Sequence, residues 1–245
     1  DKHKAYYQKI TDAKGHQLSI SINRYLNNLG ALTSFVQTSP SITYVEKYFS
    51  TFAQGILYKK NAGRALQLFP KGSKVLVFPK AGNEASIGRT FNDLLNDERP
   101  NVRSDVQRAL NSNSIAISGP YELRQGGLGL IARQAIIVDK KIWGLAVVVI
   151  DLDLLLSKFT IDDVAVEIKN NAGFSFFGNK INALEKPIHY HLILPDDVWD
   201  IALIPKSGWK ALITQEMVFF WVLSLVLTFL VTGVIFLLMS KQLIL

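Results

Sequence analysis

Leu145-Ala146-Val147-Val148-Val149-Ile150 is apolar at every position. A strand with one wet face alternates polar and apolar residues, so this unbroken run predicts a central strand covered on both sides. It belongs to a strand over 142–150, preceded by two more over 114–118 and 128–138. Shorter apolar runs at 65–69 and 75–78 flank Pro70-Lys71-Gly72-Ser73, where a fixed and a permissive backbone position stand close together, and they read as a hairpin. Pro100 suits a first helical turn, and Val102, Val106, Ala109 and Leu110 carry an apolar stripe on to Asn111. A helix over 152–159 leaves the central strand. Strands at 164–169, 175–177, 189–194 and 199–204 then repeat the theme on a smaller scale.

N-terminal to the sheet, Leu18, Ile22, Tyr25, Leu26, Leu29, Leu32 and Val36 recur mostly at three- and four-residue steps, which marks one long amphipathic helix ending at Thr38-Ser39-Pro40. Ser41 or Thr43 can cap a second helix, with Val45, Tyr48, Phe49, Phe52 and Ile56 on its buried side. The fold class is α+β: a long N-terminal helix over 1–40, a first αβ module over 41–160 and a second over 161–215.

Residues 217–240 carry no charge, and Lys241 follows at once. At about 1.5 Å per residue the run covers roughly 36 Å, enough for a hydrocarbon core of about 30 Å, so 216–241 reads as a C-terminal transmembrane helix. Ser224, Thr228 and Thr232 sit at four-residue intervals on one face, where hydroxyls can bond back to the backbone. What precedes this helix is ordinary globular sequence, so the chain reads as a folded domain delivered to one side of a bilayer. Asp1 is no initiator methionine, and a second membrane helix is expected upstream of it, with further sequence beyond Leu245. A signal that crosses a bilayer by helix movement needs a partner to move against, so the stripe over 18–36 is expected to join two copies in a homodimer, unless the chain's own modules bury it.

The net charge of +7 and pI near 9.5 come from scattered basic residues. The tightest groupings are the pairs Lys59-Lys60 and Lys140-Lys141, so no nucleic-acid partner is expected. The absence of cysteine excludes disulfides, thiolate metal sites and a cysteine nucleophile. Gly127-Leu128-Gly129-Leu130-Ile131-Ala132 has the outline of a dinucleotide loop, but a strand follows it and not a helix. Gly126-Gly127 instead reads as a hairpin turn that needs positive φ. His189 and His191 share one face of a strand with no evident third metal ligand, which favours packing or surface positions. No nucleophile elbow, Walker loop or zinc-protease motif is present, so this segment is expected to be no enzyme and to need no cofactor. Arg133 stands apart. It lies in the middle of an apolar strand, where a charge needs either a carboxylate partner, such as Asp93, Asp97 or Glu122, or a ligand.

Ser118-Gly119-Pro120-Tyr121-Glu122-Leu123-Arg124-Gln125-Gly126-Gly127, then Gly129-Leu130-Ile131-Ala132-Arg133 and Trp143-Gly144-Leu145, resembles the CHASE family of extracytoplasmic sensory domains. Trp199-Asp200-Ile201-Ala202-Leu203-Ile204-Pro205 with Gly208-Trp209 resembles the end of the membrane-proximal part of bacterial members. The resemblance implies that the two modules are PAS-like, that two membrane helices flank them, and that a histidine kinase or a cyclic-di-GMP enzyme, diguanylate cyclase or phosphodiesterase, follows in the cytoplasm. It further implies a bacterial inner-membrane receptor with residues 1–215 in the periplasm and a small-molecule pocket in the membrane-distal module. Ser118 matches the family's hydroxyl-bearing strand residue, while Asp93, Asp97 and Asp105 compete for its acidic position. Ser118, Tyr121, Leu123, Arg133 and Trp143 are therefore the candidate ligand-binding residues. Two other readings remain: a double-Cache-type chemoreceptor sensor, and a membrane-anchored periplasmic hydrolase, which would require a converging nucleophile, base and oxyanion donors.

Overall fold

The structure is a computed structural model that describes residues 2–57, 62–112, 114–157, 159–160 and 162–242. The chain runs α1 (Lys2–Thr38), α2 (Ile42–Ile56), β1 (Gly63–Pro70), β2 (Leu76–Phe78), α3 (Phe91–Leu95), α4 (Pro100–Ser112), β3 (Ala116–Glu122), β4 (Leu128–Val138), β5 (Lys141–Asp151) and α5 (Leu152–Leu156). There follow β6 (Val164–Lys169), β7 (Ser175–Gly178), β8 (Ile188–Ile193), β9 (Val198–Pro205) and α6 (Gly208–Gln242). The first sheet is antiparallel in the order β2-β1-β5-β4-β3, so the all-apolar run lies at its centre. Ala146, Val148 and Ile150 face α1 and α2, together with Leu66, Leu68, Ala132 and Ile136. Leu145, Val147 and Val149 face the other way, toward Phe91, Leu94, Val102 and Val106 of α3 and α4. Both faces of β5 are covered, as its composition requires.

The stretch between β2 and α4, which carries no periodicity, holds two short elements. Asn83 precedes a 3-10 turn over Glu84–Ser86, and Thr90 caps α3. Thr90 Oγ1 accepts from the Asp93 amide at 3.3 Å, and Asp93 Oδ2 accepts from the Thr90 amide at 2.7 Å, so two orphan donors are satisfied reciprocally. Asp93 is thereby committed to the backbone. Ser41 stands at the cap of α2 but its side chain makes no capping bond.

A second antiparallel sheet, ordered β7-β6-β9-β8, packs Ile168, Trp199, Ile201 and Leu203 into the same core that α1 closes. α1 is thus the spine of both sheets. Its stripe of Ile22, Leu29, Leu32 and Val36 is fully buried by the chain's own sheets. Of the two expectations for the stripe over 18–36, burial against the chain's own modules is the one observed, and a second copy is not what covers it: the two sheets supply enough apolar surface to fill it. Gly15 marks a close contact, since a Cβ there would run into the ring of Tyr190 on β8. Gly30, further along α1, has open space around it. Gly30→Ala is therefore expected to stabilise the chain by about 0.5–1 kcal/mol through helix propensity. Gly15→Ala should destabilise it by about 1–2 kcal/mol, because overpacking against Tyr190 outweighs the same gain. Denaturant melts of the two variants check this. Equal shifts would mean that Tyr190 does not rest on α1.

α6 begins at Gly208, earlier than the apolar run, because no helix breaker lies between Trp209 and Met217. Trp209 meets the start of α1: its ring lies edge-on to Tyr7 at 5.4 Å between centroids, Lys4 Nζ sits 5.8 Å from it, and its Nε1 donates to the Lys186 carbonyl at 3.3 Å. The beginning of α1 and the beginning of α6 therefore lie side by side. By length and composition Gly208–Phe236 can cross a membrane, and its apolar side chains over 217–236 are exposed. The Thr228 and Thr232 hydroxyls bond back to the carbonyls of Ser224 and Thr228 at 2.8 Å, which lowers their cost in hydrocarbon.

Candidate functional site

Strand register builds the site. Gln67, Val147, Arg133 and Ala116 form one row across β1, β5, β4 and β3, on the face toward α3 and α4. At about 4.8 Å per strand, Gln67 and Arg133 stand roughly 10 Å apart on either side of Val147. Ser118 lies on the same face, opposite Ile131 in the next row. Strand alternation alone would turn Tyr121 to the opposite side from Ser118. A bulge at Gly119-Pro120 shifts the register by one, so both point toward α3 and α4. Gly119 has φ +123°, and a Cβ there would lie 2.8 Å from the Gly129 carbonyl, so this corner needs glycine.

Above the sheet lies a cavity of about 40 Å³, lined by Gln67, Phe69, Leu123, Ile131, Arg133 and Val147 and closed at its rim by Arg89, Arg99 and Arg124. One water needs about 10–15 Å³, so the space holds a few waters or one small polar group. Arg133 is 2% exposed. Its Nη1 donates to Ser118 Oγ at 2.9 Å, and among the described residues it has no other hydrogen bond and no ion pair. Burial brings its guanidinium down from 12.5 to about 10, and Asp105 provides the leading opposing charge. Asp105 is itself tied to Arg108 at 2.7 Å. At neutral pH Arg133 is a buried cation with one of its five donors in use.

Of the carboxylates that the sequence offered to Arg133, Asp93 and Asp97 are engaged elsewhere, and Glu122 is exposed. Asp97, its side chain fully buried, receives Arg89 Nη2 at 3.0 Å, Arg99 Nε at 2.9 Å and Arg124 Nη2 at 3.2 Å. Burial alone would push this carboxyl up, but hydrogen bonds from the side chain and amide of Arg99 and from Arg124 hold it well below the usual carboxylate range. Asp97 locks three arginines into a knot at the mouth of the cavity.

Of the five candidate residues, Arg133 and Leu123 line the cavity, and Ser118 holds Arg133. Tyr121 is buried on the same face, with a hydroxyl that has no hydrogen-bond partner among the described residues. Trp143 is corrected. It is the extra residue of a bulge on β5, between the pairs Ile136–Gly144 and Ile137–Ile142. The bulge reverses the alternation, so the indole packs on the α1–α2 face and donates to the Pro40 carbonyl at 2.9 Å. Gln67 and the Asp97 knot are absent from the sequence reading. Elsewhere, Gly126 and Gly127 both have φ +79°, as a tight hairpin turn requires. His189 Nδ1 meets Asp200 at 2.9 Å on the surface of β8 and β9, and no group of three potential ligands among the described residues could hold a metal ion.

No protein-family model matches the sequence, and no curated protein matches it either. Solved structures do match in fold. The ligand-binding domain of the Pseudomonas fluorescens chemoreceptor CtaA, in complex with L-serine, superposes with a TM-score of 0.59 at 10% identity, over 81% of this chain and 95% of that one. The ligand-binding domain of the Pseudomonas aeruginosa amino-acid chemoreceptor PctC, in complex with GABA, gives 0.57 at 13% identity, over 81% and 97%. An extracellular ligand-binding receptor from Desulfohalobium retbaense gives 0.62 at 12% identity and covers 79% of this chain, which spans 39% of that protein's length. At these identities the likeness is one of fold, and the fold is that of chemoreceptor ligand-binding domains.

Proposed function

We propose that this chain is the small-molecule sensor domain of a transmembrane receptor, with residues 1–215 outside the cytoplasmic membrane, α6 spanning it, and the ligand held in the first αβ module. The observation that carries the reading is Arg133: a buried cation with spare donors, facing a cavity, in a fold shared with ligand-binding domains. Charges are left unpaired inside a protein chiefly where a ligand completes them. Ser118 orients the guanidinium, Leu123 walls the cavity, and Tyr121 lies on the same face of the sheet. The contact of α1 with Trp209 supports a route by which a shift of the first module reaches α6. Such a receptor works as a homodimer, whose interface on α1 must use the face opposite the buried stripe. The solved neighbours favour the double-Cache reading of these modules as much as the CHASE reading, and L-serine and GABA show the scale of ligand that such domains accept.

The test is a thermal-shift screen of the 245-residue chain in lipid nanodiscs against carboxylic acids, amino acids, amines, sugars and nucleosides. A ligand at a hundred times its Kd stabilises by about 2.7 kcal/mol. At least one class should raise the melting temperature by several degrees. If no class does so, the sensor reading fails.

A further inference from the structure

We propose that the cavity takes a compact organic carboxylate that carries no ammonium group; this rests on the sensor reading above. Four arginines line the cavity, Arg89, Arg99, Arg124 and Arg133, and no carboxylate side chain does. An ammonium ion would need an acceptor with charge to spare. The adjoining acid, Asp97, already accepts on both oxygens: Oδ1 from the Arg99 amide and Nε, Oδ2 from Arg89, Arg99 and Arg124. A carboxylate has about four acceptor positions, so none is left for a ligand's ammonium. Glu98 is exposed and paired with Arg124. Asp105 is bound to Arg108, and Asp93 caps α3. The local field therefore repels a cationic group.

The same geometry welcomes an anion. Arg133 keeps four unused donors in a planar fork, which matches a carboxylate through two parallel hydrogen bonds. Gln67 stands across Val147 and can donate from the far side, although its amide now bonds Ser86 Oγ at 3.2 Å. Phe69, Ile131, Val147 and Val149 form an apolar floor, which suits a short hydrocarbon body and gives a fully hydrated inorganic anion nothing to bury. The small volume argues for a compact ligand.

Isothermal titration calorimetry on the 245-residue chain in nanodiscs tests this, with propionate, succinate, glycine, L-alanine, inorganic phosphate and sulfate as probes. Propionate or succinate should bind at least tenfold more tightly than glycine or L-alanine, and more tightly than phosphate or sulfate. Ser118→Ala, a mild change checked for folding by circular dichroism, should weaken that binding about 3–10-fold, and Arg133→Lys should weaken it further because a single ammonium cannot replace the fork. Amino acids that bind as well as the simple acids, with the same dependence on Ser118 and Arg133, would overturn the exclusion of ammonium and leave the sensor site standing. Tighter binding of phosphate or sulfate, or no binding of any probe, would overturn the carboxylate assignment. Carboxylate binding indifferent to both substitutions would place the ligand elsewhere and remove the proposed site as well.

Discussion

Arg133→Met is expected to abolish ligand binding, by 100-fold or more, and at the same time to raise the melting temperature of the chain. The two effects have one cause. Arg133 is fully buried, and its guanidinium falls from 12.5 to about 10 because burial penalises the charge more than the nearby Asp105 and Asp97 restore it. A folded-state value below the unfolded one means that the charged form opposes folding at neutral pH. A shift of this size corresponds to about 3 kcal/mol. Methionine fills a similar volume without the charge, and losing the bond to Ser118 costs about 1 kcal/mol. A net gain of about 1–2 kcal/mol follows, or roughly 2–8 °C for a chain of this size. Calorimetric melts and titration with the strongest stabiliser from the screen measure both effects on one sample. A variant that melts lower and still binds would show that Arg133 serves the core and not a ligand.

Asp97→Asn should do the opposite and destabilise the first module by about 2–3 kcal/mol. Removing one partner of a buried ion pair leaves the other charge uncompensated, which costs about 3–5 kcal/mol when both are buried. Here the three arginines are 21%, 31% and 36% exposed and can turn partly to water, so the loss is smaller. The pH dependence follows from the same contact. The folded carboxyl lies below its unfolded value, so its stabilisation is complete above about pH 4 and drains away as the pH falls toward the lowered folded value. The wild type should lose stability on acidification below about pH 4, and Asp97→Asn should flatten that limb. Parallel acid limbs in the two proteins would mean that the knot contributes nothing to folding.

Most of the architecture is legible in the chain because its signals are local. The run at 145–150 announces a doubly covered strand, the three- and four-residue steps from Leu18 to Val36 announce α1, and the uncharged run at 217–240 announces α6. The site is half legible. An arginine inside an apolar strand is conspicuous, and Gly119-Pro120 next to Ser118 suggests irregular backbone. The direction of Trp143 is not legible, because a one-residue bulge reverses side-chain direction without any composition signal of its own. The Asp97 knot was out of reach for another reason. Arg89, Arg99 and Arg124 come from three separate turns, and only the folded backbone shows that they converge on one of several available carboxylates. The role of Asp93 is legible, since Thr90 and Asp93 have capping-box spacing.

The central claim, that a ligand binds in the first module over Arg133, is tested most directly by hydrogen–deuterium exchange on the full chain, with and without the strongest stabiliser from the thermal screen. The largest slowing is predicted in the amides of β3, β4 and residues 89–106, which surround the cavity. The largest slowing in the second sheet, or none over residues 116–133, would contradict it.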